Sequence, residues 1–523
     1  MKKTLFLLSV LLFFAFTVSA KNYFIAVDGS DANTGAIDSP FATLKKAQSL
    51  VAAGDTVFIR GGVYKVTEDQ IMRYKDIWGY VFDMTKSGTS KNKRICYFGY
   101  PNERPVFDLS LVKPLDKRVI VFYVSGSYLH FKNFEIVGTQ VTIVGHTQSE
   151  CFRNEGGNEN IYEHIAMHDG MSIGFYLTKG VNNLVLNCDA YNNFDSVSDG
   201  GKGGNVDGFG GHPNSTASTG NVFRGCRAWY NSDDGFDLIS ANAAYTIEHC
   251  WSFYNGYRPN SFTSAGDGAG FKSGGYGMST NPKVPNPIPR HIVRFCLAYY
   301  NKNQGFYANH HLEGIIWHNN TGYQNPSNFN MLNRKSATET VDVDGYGHTI
   351  KNNLSFSPRS SSNHIINVDQ SKCSISNNSF LSTILTSSSH FVSTDPSELT
   401  RPRKEDGSLP DIDFMKLKEG CPLIDAGADV GFPFEGIAPD IGCFEYEDAA
   451  SGVDPVVVVN SMKIWAEKGT LVIDSDESEL VQVSSLLGNK QSIPVSVGEN
   501  RIRLKRGVYI VRMKADVRKI IVR

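Results

Sequence analysis

The chain has almost no net charge: 51 basic and 53 acidic side chains among 523 residues leave −2 at neutral pH. With neither sign in excess, no global field recruits nucleic acid or an anionic surface, so an acidic ligand must be held by local charges or by a metal. After the first twenty residues no run reaches the roughly 18 apolar residues that a membrane-spanning helix needs. The nine cysteines (96, 151, 188, 226, 250, 296, 373, 421 and 443) contain neither a CxxC pair nor a Cys/His metal spacing. Low-complexity sequence is scarce, and 32 Phe and 23 Tyr argue against disorder.

What is abundant is glycine, at 49 residues, and asparagine, which recurs in almost every segment after residue 130. Both are poor helix formers suited to turns, which excludes a mostly helical protein. Residues 1–20 read as an export signal: Lys2 and Lys3, an apolar stretch from Leu5 to Phe16, then the small residues Val18-Ser19-Ala20. The mature chain is expected to begin near Lys21, with no cysteine there for a lipid anchor. The expectation is a soluble, monomeric exported protein in the periplasm, at the cell surface or secreted. Disulfides are permitted there.

A repeat explains the composition. Cys or Asn, then apolar and aromatic residues, then Asn five positions on, reads Cys188–Asn193, Cys226–Asn231, Cys250–Asn255, Cys296–Asn301 and Asn320–Asn325. Weaker copies start at Asn353 and Asn377. The intervals are 38, 24, 46, 24, 33 and 24, the longer ones holding Gly/Ser/Pro-rich insertions such as 256–289. A base period of 24 built from short strands and turns fits one coil of a parallel β-helix. Stacked Asn and Cys columns then serve the scaffold, as an amide ladder and as buried thiols. An amphipathic helix over 41–51 is expected to cap the open end, where sheet edges are otherwise unpaired. After a linker at 446–455, short strands at Val456–Val459, Lys463–Ala466, Thr470–Ile473, Arg501–Leu504, Val508–Met513 and Lys519–Val522 predict a small antiparallel sandwich over 456–523.

A second repeat is Gly-Phe at 174–175, 208–209, 235–236, 270–271 and 305–306. Aligned on it, the residue before Gly is Ile173, Asp207, Asp234, Ala269 and Gln304, and the residue after Phe is Tyr176, Gly210, Asp237, Lys272 and Tyr307. This register puts Asp207 and Asp234 on neighbouring coils, flanked by Asp233 and Asp237. Like charges stacked across strands are destabilising, so a hard cation with oxygen ligands is the simplest compensation, and Ca²⁺ suits a carboxylate-rich shell. The same aspartates also read as separate turn residues. Lys272 falls in the Asp237 column, either as a salt-bridge partner or as a base whose pKa burial and a cation lower.

At these residues the sequence resembles polysaccharide lyase family 9. The matching pieces are Asn205-Val206-Asp207-Gly208-Phe209, Asn231-Ser232-Asp233-Asp234-Gly235-Phe236-Asp237 and Gly270-Phe271-Lys272-Ser273-Gly274-Gly275. The opening stretch, Val27 to Asp31 through Gly54 to Val57, also looks like exported β-helix lyases. The resemblance spans about 21–445. It implies a right-handed parallel β-helix, Ca²⁺ at Asp207, Asp233, Asp234 and Asp237, and Lys272 as the base. The implied substrate is an acidic pectic polysaccharide with 4-linked galacturonate, either homogalacturonan or rhamnogalacturonan I. The implied reaction is β-elimination to a 4,5-unsaturated uronate. The last 70 residues resemble Bacteroidetes type IX sorting domains at 485–489 and 506–511. Two other readings stand beside this one: a β-helix glycoside hydrolase with paired aspartates, and a non-catalytic calcium-bound carbohydrate-binding solenoid. Arg258, Lys302 and Tyr307 read first as solvated surface residues and second as candidates for substrate carboxylates or sugar stacking. Lys202, Arg258, Lys302 and His310 are the next candidates for the base.

Overall fold

The computed structural model describes residues 20–523 except 361–362, 382–384, 447–456, 460–461, 468, 476–478, 486–489, 506, 514–515 and 523. The expected export signal and linker therefore lie almost wholly outside the described residues.

Short parallel strands wind as a solenoid with three faces per coil. One coil reads Asn221–Arg224, Arg227–Trp229 and Phe236–Asp237, and the next reads Tyr245–Glu248, Trp251–Phe253 and Phe271–Lys272. Equivalent strands pair in parallel, so the first two faces form one sheet of 20 strands and the third face a sheet of 11. Sharp corners separate the faces. Tyr230, Tyr254 and Tyr300 take positive φ (50°, 58° and 47°) at the corner before the third face. Side chains disfavour that conformation by about 1–2 kcal/mol per residue, so something must hold each corner.

The Asn column does so. Asn255 Oδ1 accepts both the backbone amide and the side-chain amide of Asn231, each at 3.1 Å. Asn301 serves Asn255 in the same way, and Asn325 serves Asn301. The second amide hydrogen of each goes inward to a strand carbonyl, as from Asn255 to Ala228 at 2.9 Å. At the other corner Cys188, Cys226, Cys250 and Cys296 stack as buried free thiols. That column then changes to Asn320, Asn353 and Asn378. The last copy thus starts at Asn378. Asn377 instead occupies the positive-φ position before it, because the amide that faces inward must be the one in ladder register.

Gly-Phe has an equally local cause. The rings of Phe209, Phe236, Phe271, Phe306 and Phe329 stack inside the solenoid at 4.8–5.0 Å. A Cβ on Gly208 would lie 2.7 Å from the Gly235 carbonyl oxygen, and one on Gly235 2.7 Å from that of Gly270. Only glycine lets the coils approach there.

The capping helix runs Leu44–Leu50, with Thr43 as N-cap accepting from the Lys46 amide. Leu44 and Ala47 pack into the first coils. The last ladder strand is Ser374–Ser376, so the coils stop well short of 445. Residues 385–446 instead run back along the second face. There Phe391, Leu399, Phe414 and Leu417 cover Trp251, Phe253, Leu297 and Tyr299. Arg403 of this strap and Arg227 of the solenoid share the buried Asp189 carboxylate, at 2.6 and 2.8 Å.

The C-terminal region is two four-stranded antiparallel sheets around a common core that includes Leu471, Ile473, Val481 and Val511. Two of its strands, Glu479–Ser485 and Lys490–Val495, are not in the sequence expectation because their polar residues mask the alternation. Of the sorting-domain likeness at 485–489 and 506–511, residues 486–489 and 506 lie outside the described residues.

Asn255→Ala is expected to cost roughly 2–4 kcal/mol, because it strands buried donors of Asn231 and the Ala228 carbonyl. Denaturant unfolding of the variant checks this, and a loss below about 1 kcal/mol contradicts a bearing role for the ladder.

Candidate active site

The expected register holds across the third face. Gly210 pairs with Asp237, Asp237 with Lys272 and Lys272 with Tyr307. Asp207, Asp234 and Asp237 come together, offering carboxylate oxygens that all lie within 4.8 Å of one another. They line or underlie a cleft of about 440 Å³ whose wall includes Tyr176, Asn205, His212, Asp233, Asp267 and Lys272. Asp207, Asp234 and Asp237 are at most 5% exposed.

Lys272 Nζ sits 3.0 Å from Asp234 Oδ2 and 3.1 Å from Asp237 Oδ2. The other oxygens are anchored by backbone. Asp234 Oδ1 accepts from the Ala269 amide at 2.6 Å, Asp237 Oδ1 from Ile239 at 2.7 Å and Asp207 Oδ1 from Asp234 at 3.1 Å. Asp233 lies outside the group of three. Its two oxygens accept the amides of Asn205 (2.7 Å) and Asp267 (2.6 Å). It thereby ties both long insertions to the cluster.

The electrostatics are those of a site short of positive charge. Burial raises Asp207 well above the carboxylate range, and Asp233, Asp237 and Asp234 raise it further. Burial likewise holds Asp234 up at about 8 against the pull of the lysine, and raises Asp233 despite its amide partners. Burial alone would depress the Lys272 ammonium. The carboxylates of Asp234, Asp237, Asp207 and Asp233 outweigh it and hold the pKa above the ordinary lysine value. Lys272 is a counter-ion of these aspartates, paired with Asp234 and Asp237. The donor set, three buried carboxylates converging with one ammonium between them, fits a hard dication.

A family model for the Pel9A-like right-handed β-helix region matches residues 23–355. The chain belongs to polysaccharide lyase family 9. Among its relatives, the pectate lyases L of Dickeya chrysanthemi and Dickeya dadantii are 34% and 32% identical, each over 81% of this chain and 90% of the relative. A solved rhamnogalacturonan lyase is 54% identical with a TM-score of 0.75, covering 76% of this chain and 97% of that one. The crystal structure of pectate lyase Pel9A is 30% identical with a TM-score of 0.65, covering 82% and 98%. Family membership makes the solenoid right-handed and the chain a polysaccharide lyase.

Within this family 9 chain the outlying candidates divide. Tyr307 is half-buried one coil beyond Lys272. Lys302 turns its ammonium to the backbone carbonyls of Ala265 (3.2 Å) and Gly266, so it braces the loop that reaches Asp233. Arg258 is exposed on that loop, with its guanidinium 5.0 Å from the Phe194 ring. Lys202 is exposed. His310 is engaged with Asp342 at 3.3 Å, and burial lowers its pKa. Sequence reasoning gave no role to four residues that line the cleft, His212, Tyr176, Asn205 and Asp267. The Gly-Phe alignment does contain Tyr176, but His212 reaches the cleft from an insertion with no counterpart in other coils.

Lys302→Ala is expected to lower stability by about 1–2 kcal/mol and to expose the loop. Chymotryptic cleavage after the exposed Phe262, followed by mass spectrometry, should become several-fold faster. Unchanged cleavage would remove the bracing role.

Proposed function

We propose that this pectin-degrading lyase cleaves its polymer at 4-linked galacturonate by β-elimination, with calcium held by the aspartates and Lys272 as the Brønsted base. The observation that carries the reading is the Lys272 ammonium set between Asp234 and Asp237 at the wall of the cleft. A structural salt bridge needs one carboxylate. A lysine among four, all buried, is poised for a change of charge state when another cation and the substrate arrive.

Asp207, Asp234 and Asp237, with Asp233 beside them, are the residues that would hold the ion. When bound, Ca²⁺ supplies positive charge to the galacturonate carboxylate and so reduces the cost of charge developing at the adjacent C5. The chain's own residues do the rest. Lys272 gives up its proton once the aspartates no longer hold it, and the neutral amine then takes the C5 proton. The C5–H electrons form the C4–C5 double bond, the C4–O4 bond breaks, and O4 takes a proton from solvent. Backbone amides fix Asp234 and Asp237, so the base is presented without reorganisation.

The hydrolase reading asks for a free carboxylic acid and a separate carboxylate. Both oxygens of Asp233 and of Asp234 are already engaged, which favours elimination. A purely binding solenoid requires no lysine inside its carboxylate cluster.

Lys272→Ala should reduce turnover by about 10²–10⁴-fold while calcium binding, followed by calorimetry, persists. Retained turnover assigns the base elsewhere. Treatment with EDTA should abolish the ultraviolet absorbance of the unsaturated uronate, and added Ca²⁺ should restore it. Reducing ends released in EDTA without that absorbance would mean hydrolysis.

A further inference from the structure

The near-zero net charge is the sum of two parts of opposite sign. Residues 21–455 carry 37 basic and 46 acidic side chains, while 456–523 carry 12 and 7. Five of those seven acids lie within 467–479, which leaves 490–523 with 10 basic side chains against Glu499 and Asp516. Charge asymmetry of this kind within one chain marks a surface for a charged partner.

The strands turn that excess outward. Val481 and Val483 belong to the sandwich core, so Gln482 and Ser484 stand on the outer face of their sheet. Gln482 pairs with Arg512 and Ser492, and Ser484 with Lys490 and Ile510. Residues directly opposite share a face, which puts Lys490 and Arg512 on that outer face among neutral neighbours. Both are exposed. In the other sheet the edge strand Gly498–Arg503 carries exposed Arg501 and Arg503, with Lys505 exposed just beyond. Arg501 is neutralised by Glu467 at 2.7 Å and Glu499 at 2.6 Å. Among the described residues these are the ion pairs of the sandwich, so Lys490, Arg503, Lys505 and Arg512 are left without one. Like charges left unmatched on a small fold repel one another, and a polyanion is the complementary ligand.

We propose that the C-terminal sandwich is a polyanion-binding module and that its ligand is the acidic polysaccharide the enzyme degrades. That polymer carries a carboxylate on each uronate, and the solenoid region, with its excess of acids, does not attract it at long range. Lys490, Arg503, Lys505 and Arg512 hold the carboxylates, and a polymer held at the sandwich stays concentrated around the solenoid joined to it. Each exposed ion pair is weak, so affinity needs several at once, which a long chain supplies and a short fragment does not. This rests on the substrate being an acidic pectic polymer and is independent of the roles given to Lys272 and calcium.

The test compares the full chain, wild type and Lys490→Gln/Arg503→Gln/Lys505→Gln/Arg512→Gln, on immobilised polygalacturonate in EDTA, which removes calcium bridging. Wild type should be retained at low salt and released as NaCl rises toward about 1 M, where the screening length falls to about 3 Å. The variant should bind about tenfold more weakly at low salt and match the wild type at high salt. With Ca²⁺ restored, KM for the polymer should rise while kcat/KM for a short oligosaccharide stays unchanged. Lys490→Gln/Arg512→Gln and Arg503→Gln/Lys505→Gln, made separately, should each weaken retention, which keeps the test open where the fourfold variant fails to fold. Elution of every variant with the wild type overturns the module, as does a wild type that is not retained. A wild type that binds phosphatidylglycerol vesicles and not the polymer overturns it in favour of a membrane surface. Cleavage of neither polygalacturonate nor rhamnogalacturonan I overturns the reading of the substrate instead.

Discussion

Each coil of the solenoid hydrogen-bonds through its backbone to the coil beneath, and that parallel ladder sets every side chain one coil rise, about 4.8 Å, from its counterpart. Everything else follows from this spacing. It stacks Phe rings inside the third face and amides at the corner, and it converts positive-φ corners into repeatable structure. Because the ladder cannot slip without turning one face inside out, it also fixes which side chains meet on the outer surface.

The same rigidity lets the fold tolerate a site that opposes its own stability. Four carboxylates and one ammonium are buried together, and burial pushes Asp207 and Asp234 up because their charges are not matched. A flexible surface would relieve this by moving the aspartates apart. Here the amides of Asn205, Asp267, Ala269 and Ile239 hold them from both sides. That unmatched charge is what the proposed calcium ion would offset. The contrast with Asp189 is instructive: that buried carboxylate meets two guanidinium groups and sits far below the ordinary range. One arrangement closes the strap onto the solenoid, while the other leaves its carboxylates with a single ammonium among them.

Much of this was readable before any coordinates, but unevenly. Gly-Phe is a reliable register mark because each part has a separate cause, the coil-to-coil carbonyl contact for Gly and the internal stack for Phe. Aligning on it brought Asp207, Asp234, Asp237 and Lys272 together across 65 residues of chain. Asn377 was misplaced by one position because two adjacent asparagines satisfy the spacing equally, and only the direction of the amide distinguishes them. Lys302 reads from its place near the repeated turn as a surface residue or a substrate ligand, and its ammonium meets two backbone carbonyls of a neighbouring insertion, which no linear pattern shows. The strap at 385–446 left no periodic trace, since its apolar residues cover a face instead of repeating along one.

Sequence alone determined the solenoid, its corners and the grouping of its acidic cluster, because these arise from residue types recurring at a fixed period and a parallel ladder turns period into proximity. Only the tertiary structure decided the pairing of Lys272 with Asp234 and Asp237, the tie made by Asp233, the seat of His212 over Gly210 and the end of the coils. Those depend on insertions and a returning segment whose contacts have no period, and on burial, which a linear pattern does not express.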